Sequence, residues 1–173
     1  MKNLLYLLLI TFSLSCCNKD DDKTPLEQLP PATQTGAGTF GCLVNGEPYV
    51  DNSGFFNCFY QLVDGEYYFG IGGRKDSFIR QIVIGSEKKN IETGINLQLK
   101  SRTDNNFWAN VSFDCLNCIN ANTTNESAGI IKFTTLDFQN NIVSATFEFT
   151  VTDANTGIIY NITEGRFDAI FTQ

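Results

Sequence analysis

Cysteine is the residue type in this chain best equipped for chemistry, and its six copies fall into two groups. Cys16 and Cys17 lie near the start; Cys42, Cys58, Cys115 and Cys118 lie in the body of the sequence. The run Cys115-Leu116-Asn117-Cys118 has the spacing of half a zinc knuckle, or of a redox dithiol. The other half of a knuckle is missing, because Cys42 and Cys58 stand apart on separate predicted strands. A redox dithiol opens a helix in a βαβ unit, whereas this one follows a strand. The expected state is therefore structural: disulfides Cys42–Cys58 and Cys115–Cys118, or buried free thiols, in an oxidising compartment. Cys42 and Cys58 can bond only if their Cα atoms come within about 7 Å. No metal and no cofactor is expected.

Other chemistries are restricted by what the chain lacks. It contains no histidine, which removes His-based triads, His-ligated metals and His-driven pH switches. Carboxylate pairs of the glycosidase kind need only Asp and Glu. However, Asp64, Glu66, Asp76, Asp104 and Asp153 fall in predicted turns, where solvation accounts for them. The run Gly70-Ile71-Gly72-Gly73-Arg74-Lys75 resembles a phosphate cradle but has no following helix to supply amides, so it reads as a glycine-rich strand end. Phe107-Trp108 could present a ring to a sugar or apolar ligand, with core packing as the plainer role. Asn110, Asn122, Asn125 and Asn161 begin Asn-x-Ser/Thr triplets, which matter only in a eukaryotic secretory protein. With no catalytic constellation in view, the chain is read as not an enzyme.

The first group of cysteines sets the compartment. Residues 1–15 carry Lys2, the apolar run Leu4–Ile10, and the small residues Ser13 and Ser15 directly before Cys16. That is a secretory signal whose cut would leave an N-terminal cysteine. The run is too short to cross a bilayer, which takes about 20 residues, so the expected anchor is lipid on Cys16, with Cys17 as the alternative site. Stable anchoring takes at least two acyl signals, which a diacylated or triacylated cysteine supplies. Residues 16–38 read as the lipidated N-terminus and a flexible linker: Lys19-Asp20-Asp21-Asp22-Lys23 is a solvated charge run, Pro25, Pro30 and Pro31 follow, and apolar content is sparse. The chain carries a net charge of −7, which argues against nucleic acid as a partner.

Residues 39–173 read as a single β domain, because the apolar period is two. Val143, Ala145, Phe147, Phe149 and Val151 alternate with Ser144, Thr146, Glu148 and Thr150, and Ile95, Leu97 and Leu99 alternate with Asn96, Gln98 and Lys100. Phe55–Leu62, Tyr67–Ile71 and Phe78–Ile84 are apolar on both registers, as in strands covered on two sides. Phe107–Phe113, Gly129–Leu136 and Ile158–Phe171 complete the set. Asn45-Gly46 and Asp64-Gly65 predict tight hairpins, and Pro48 predicts an edge strand. The expectation is an all-β antiparallel meander of about nine to ten strands, packed as a β-sandwich or a flattened barrel.

Three stretches resemble a known family. Cys16 followed by Lys19-Asp20-Asp21 is similar to Bacteroidota lipoproteins exported to the outer face of the outer membrane, with Cys17 and Asn18 intervening here. Leu29 through Gly46, including Gly38-Thr39-Phe40-Gly41-Cys42-Leu43-Val44-Asn45-Gly46, resembles the opening of an uncharacterised family of such lipoproteins. Ala145-Thr146-Phe147-Glu148-Phe149 through Asn161-Ile162-Thr163-Glu164-Gly165-Arg166-Phe167-Asp168 is similar to that family's last two strands. The resemblance implies a surface-exposed, lipid-anchored outer-membrane protein with an all-β domain, and it implies no activity and no site residues. Together these readings lead to the expectation of a non-catalytic binding or interaction module at the cell envelope. Its partners would be the membrane, through lipid, and a protein, glycan or small ligand. The alternative is a carrier holding an apolar ligand inside a closed barrel.

Overall fold

A computed structural model describes residues 23–54 and 56–173. Cys16 and Cys17, and with them the signal and lipidation expectations, lie outside the described residues. The domain is all-β, as the two-residue period predicts. Among the described residues eleven strands form: β1 (Thr39–Val44), β2 (Glu47–Val50), β3 (Asn57–Val63), β4 (Glu66–Arg74), β5 (Ile79–Glu87), β6 (Leu97–Leu99), β7 (Asn106–Phe113), β8 (Ala121–Asn122), β9 (Gly129–Asp137), β10 (Ile142–Thr152) and β11 (Ile159–Ile170). They make one curled sheet in the order β2-β1-β11-β10-β9-β6-β7-β5-β4-β3, with β8 added to β7. Neighbours are antiparallel except β6 and β7, which run parallel. The sheet forms a half-barrel whose edges are β2 and β3.

The hairpin turns form where the dipeptides demand them. Asn45 and Gly46 take φ of 51° and 89°, and Asp64 and Gly65 take 52° and 84°, the paired positive angles that fit the twist of a tight hairpin. Pro48 sits on β2, the sheet edge, where a missing N–H leaves no partner unsatisfied. The open side between β2 and β3 is bridged at several points. Tyr49 Oη–H donates to the carbonyl of Gly73 at 2.9 Å, and Asn52 N–H donates to that of Arg74 at 3.2 Å. Just beyond β11, Thr172 exchanges backbone bonds with β3, donating to Cys58 and accepting from Tyr60.

The inward face of the curl is filled by rings. Phe69 and Phe107 meet Phe133 with centroids 5.3 and 5.4 Å apart, and Phe133 reaches Phe167 at 6.3 Å. Phe40 meets Phe147 at 5.4 Å. Each fully buried side chain of this size stabilises the fold by about 1.5–3 kcal/mol relative to exposure, and favourable ring pairs add roughly 0.5–1.5 kcal/mol.

The expected flexible linker is corrected over its second half, because residues 24–38 lie against the sheet. Thr24 and Glu27 brace a short 3-10 helix, Pro25–Gln28, with Glu27 accepting from both the Thr24 amide and hydroxyl at 2.8 Å. Leu29 is buried. The segment then closes around Asp168 of β11, whose carboxylate is 1% exposed. Oδ2 accepts from Thr33 Oγ1 (2.6 Å), Thr35 N (2.9 Å) and Ala37 N (3.1 Å). Oδ1 accepts from Gly36 N and Ser144 Oγ, both at 2.8 Å. Burial pushes this carboxyl up, but the donors from Thr33, Thr35, Ser144 and Ala37 outweigh burial and hold it well below the usual carboxylate range. The strap is ordered by a buried charge, not by apolar content, which is why composition suggested a free tether.

Candidate functional site

The two cysteine pairs part company. Cys115 and Cys118 are bonded, their Cα atoms 5.6 Å apart, and close a small loop after β7. Of the two states expected for Cys42 and Cys58, a disulfide or buried free thiols, the structure has the second: both are free, buried thiols. Cys42 stands on β1, opposite Tyr49 of β2, while Cys58 stands on β3, paired to Ile71 of β4. β1 and β3 are not neighbours in the sheet, so no ladder brings the sulfurs together. Burial pushes each thiol up to about 12, which leaves them as apolar core groups. Among the described residues no group of three or more His, Cys, Asp or Glu could hold a metal ion. No helix among them is long and apolar enough to cross a membrane.

The carboxylates expected in turns behave as turn residues. Asp153 accepts from Thr156 Oγ1 at 2.6 Å and Asn155 N at 2.8 Å, and the Thr156 hydroxyl and then the Asn155 amide hold its carboxyl below the usual range. Asp104 pairs with Lys88 at 2.6 Å on the surface. Asp168, which no sequence signal singled out, is the carboxylate with the densest set of donors.

The outward face of β3, β4, β5 and β7 carries a groove of about 550 Å³, within the range of small-ligand sites, roughly 300–1,000 Å³. It is built by the pleat. On β4, Phe69, Ile71 and Gly73 point inward, so Tyr68, Gly70, Gly72 and Arg74 point outward. On β5, Gln81, Val83, Gly85 and Glu87 take the same outer face, and on β7 so does Trp108. Phe59 of β3 lies over Gly70 so closely that a methyl there would come within 2.5 Å of the ring. Trp108 lies over Gly85, where a methyl would meet the indole at 2.6 Å. Glycine at both positions lets two aromatic side chains lie down on the sheet.

The Phe107-Trp108 pair thus divides between its two readings. Phe107 is core, at 1% exposure. Trp108 lies at the groove wall beneath the Arg102 guanidinium, 4.5 Å from its ring centroid. Arg102 Nε donates to Glu87 Oε1 at 2.7 Å, and the Arg102 side chain is 63% exposed. Exposed ion pairs of this kind contribute about 0–1 kcal/mol, so the guanidinium can leave the ring at little cost. Trp108 Nε1–H is buried and has no hydrogen-bond partner among the described residues, an uncommon state for an indole donor. At the far end stands Arg74, with no hydrogen bond or ion pair to its guanidinium among the described residues.

The Gly70–Lys75 run therefore supplies floor and rim to an aromatic groove, in place of a phosphate cradle. Its signal was available in sequence, since Gly70, Gly72 and Arg74 share one face of a strand. Phe59, Gly85 and Arg102 carried no mark of their own. Compared with known proteins, the chain matches no family model, no curated sequence and no solved structure.

Proposed function

We propose that this protein is a non-catalytic binding module, anchored by lipid on Cys16 to the outer membrane and facing outward, that receives a saccharide in the β3–β4–β5–β7 groove. The observation that carries the reading is Trp108: an outer-face indole with an unpaired, buried N–H, overlain by an arginine that is loosely held. Lifting Arg102 would free a ring face for the apolar side of a pyranose and an N–H for one of its oxygens. Glu87 is the one carboxyl among the lining residues, and it is engaged by Arg102, so the groove offers recognition chemistry in place of an acid–base pair. The interior, filled by Phe69, Phe107, Phe133 and Phe167, supports a surface site over the carrier alternative.

The anchor reading gains a dimension from the docked strap. Seven residue steps separate Cys16 from Lys23, and such a length spans at most about 25 Å. The domain would ride close to the bilayer. Two measurements test the proposal. Labelled palmitate should enter the wild-type chain and not the Cys16→Ser variant; label retained in the variant moves the anchor to Cys17 or elsewhere. Trp108 is the single tryptophan, so fluorescence excited selectively at tryptophan reports the groove. A panel of neutral and acidic oligosaccharides should contain members that shift it saturably; if none does, the saccharide reading is wrong.

A further inference from the structure

We infer that the saccharide taken by this groove is anionic, a hexuronate chain, with a carboxylate seated on Arg74; the inference rests on the groove being the ligand face. Three of its polar groups, Arg74, Arg102 and Trp108 Nε1–H, are donors only. Its one carboxylate, Glu87, is already paired with Arg102 at 2.7 Å. A ligand entering here meets donors in excess and must bring acceptors. Charge points the same way, since a molecule of net −7 places two arginines against one glutamate along this groove.

Arg74 is the decisive group. It lines both the aromatic groove and an adjoining depression of about 660 Å³ that also holds Lys75 and Arg80, with Asp76 and Asp114 on its walls. Lys75 Nζ is held by the Pro48 carbonyl at 3.0 Å, whereas the Arg74 guanidinium is unclaimed. Its position is fixed from behind: the backbone N–H of Arg74 donates to Asp51 Oδ2 at 2.7 Å, and that carboxylate also accepts from Ser53 N–H at 3.2 Å. The planar fork of a guanidinium matches a carboxylate in a two-bond geometry. Between Arg74 and Trp108 the floor is the Phe59 ring lying over Gly70, with Gln81 and Val83 lying against Gly72, a surface on which pyranose rings can rest. A ring over this floor would present its C5 carboxylate at the arginine end.

The test is a fluorescence titration of the membrane-extracted full chain with trigalacturonate and with its fully methyl-esterified form, which keeps the rings and removes the charge. The acid should bind at least about tenfold more tightly than the ester, and rising salt should narrow the gap. Arg74→Gln should weaken trigalacturonate about tenfold or more and the ester by much less, while Arg74→Lys should retain part of the preference. Since the Asp51 bonds use the Arg74 backbone, both variants keep their strand. Equal affinity for acid and ester, or an acid affinity untouched by Arg74→Gln, overturns the anionic specificity and spares the groove. Failure of both sugars to shift Trp108 overturns the groove reading with it.

Discussion

Replacing Asp168 by asparagine should release the N-terminal strap, and the size of the effect follows from the donors around the carboxylate. Four donors face Oδ2 (Thr33 Oγ1, Thr35 N, Thr35 Oγ1, Ala37 N) and two face Oδ1 (Gly36 N, Ser144 Oγ). An asparagine does best by keeping its carbonyl oxygen on the four-donor side. Its amide then points at the Gly36 N–H, which cannot accept, and at the Ser144 hydroxyl, which can turn and do so. One buried backbone donor is stranded, costing about 1–3 kcal/mol. The surviving bonds lose their charge assistance, which roughly doubles such bonds, so the total is about 3–5 kcal/mol. For a domain of this length that is a fall in Tm of about 10–15 °C.

The pH dependence has a definite sign. Because the folded carboxyl is held below its ordinary value, its contribution is complete above the unfolded pKa of about 3.9. It is lost as pH falls through the lower folded pKa. Wild type should therefore lose stability steadily below about pH 4, and Asp168→Asn should show a shallower slope there. Calorimetry gives Tm, and hydrogen exchange should show lost protection at the amides of Thr35, Gly36 and Ala37. A Tm within about 3 °C of wild type, with those amides still protected, would refute the reasoning.

Further outcomes are expected. Gly85→Ala places a methyl 2.6 Å from the Trp108 ring and 3.0 Å from the Phe69 carbonyl. The indole must lift, so the emission maximum should move to the red and stability should fall by about 1–3 kcal/mol; an unchanged spectrum contradicts the packing. Cys42 and Cys58, with thiols pushed up to about 12 by burial, should resist a thiol reagent at pH 8 in the folded domain. Denaturation without reductant should expose both, while Cys115 and Cys118 react only after reduction. Labelling of Cys115 and Cys118 before reduction would deny the loop disulfide.

What the sequence revealed was the part that local chemistry controls. The turns at Asn45-Gly46 and Asp64-Gly65, the Pro48 edge and the alternation from Val143 to Val151 each need only a few adjacent residues to be read. The alternation of Ile95, Leu97 and Leu99 marked β6, but its parallel contact with β7 was not legible, because it is the single pair Leu99 and Phe107; β8 pairs along two residues, too short for a period. The strap was illegible for a different reason. Its order depends on Asp168, some 133 residues from Thr35, and a long-range buried charge leaves no local trace. The groove fell between these cases: Trp108 and the Gly70–Lys75 run drew notice separately, but only the order β3-β4-β5-β7 puts them on one face. The choice between bond and free thiols for Cys42 and Cys58 was hidden for the same reason, since their separation depends on which strands are neighbours.

Among possible measurements, an NMR titration of the nitrogen-labelled chain with trigalacturonate bears most directly on the assigned ligand face. Only one indole N–H signal exists, that of Trp108. It should move together with the amides of Phe59, Gly70, Gly72 and Arg74, saturating at a common affinity. A still indole signal, with the moving amides gathered instead at the strap or the Cys115–Cys118 loop, would contradict the account.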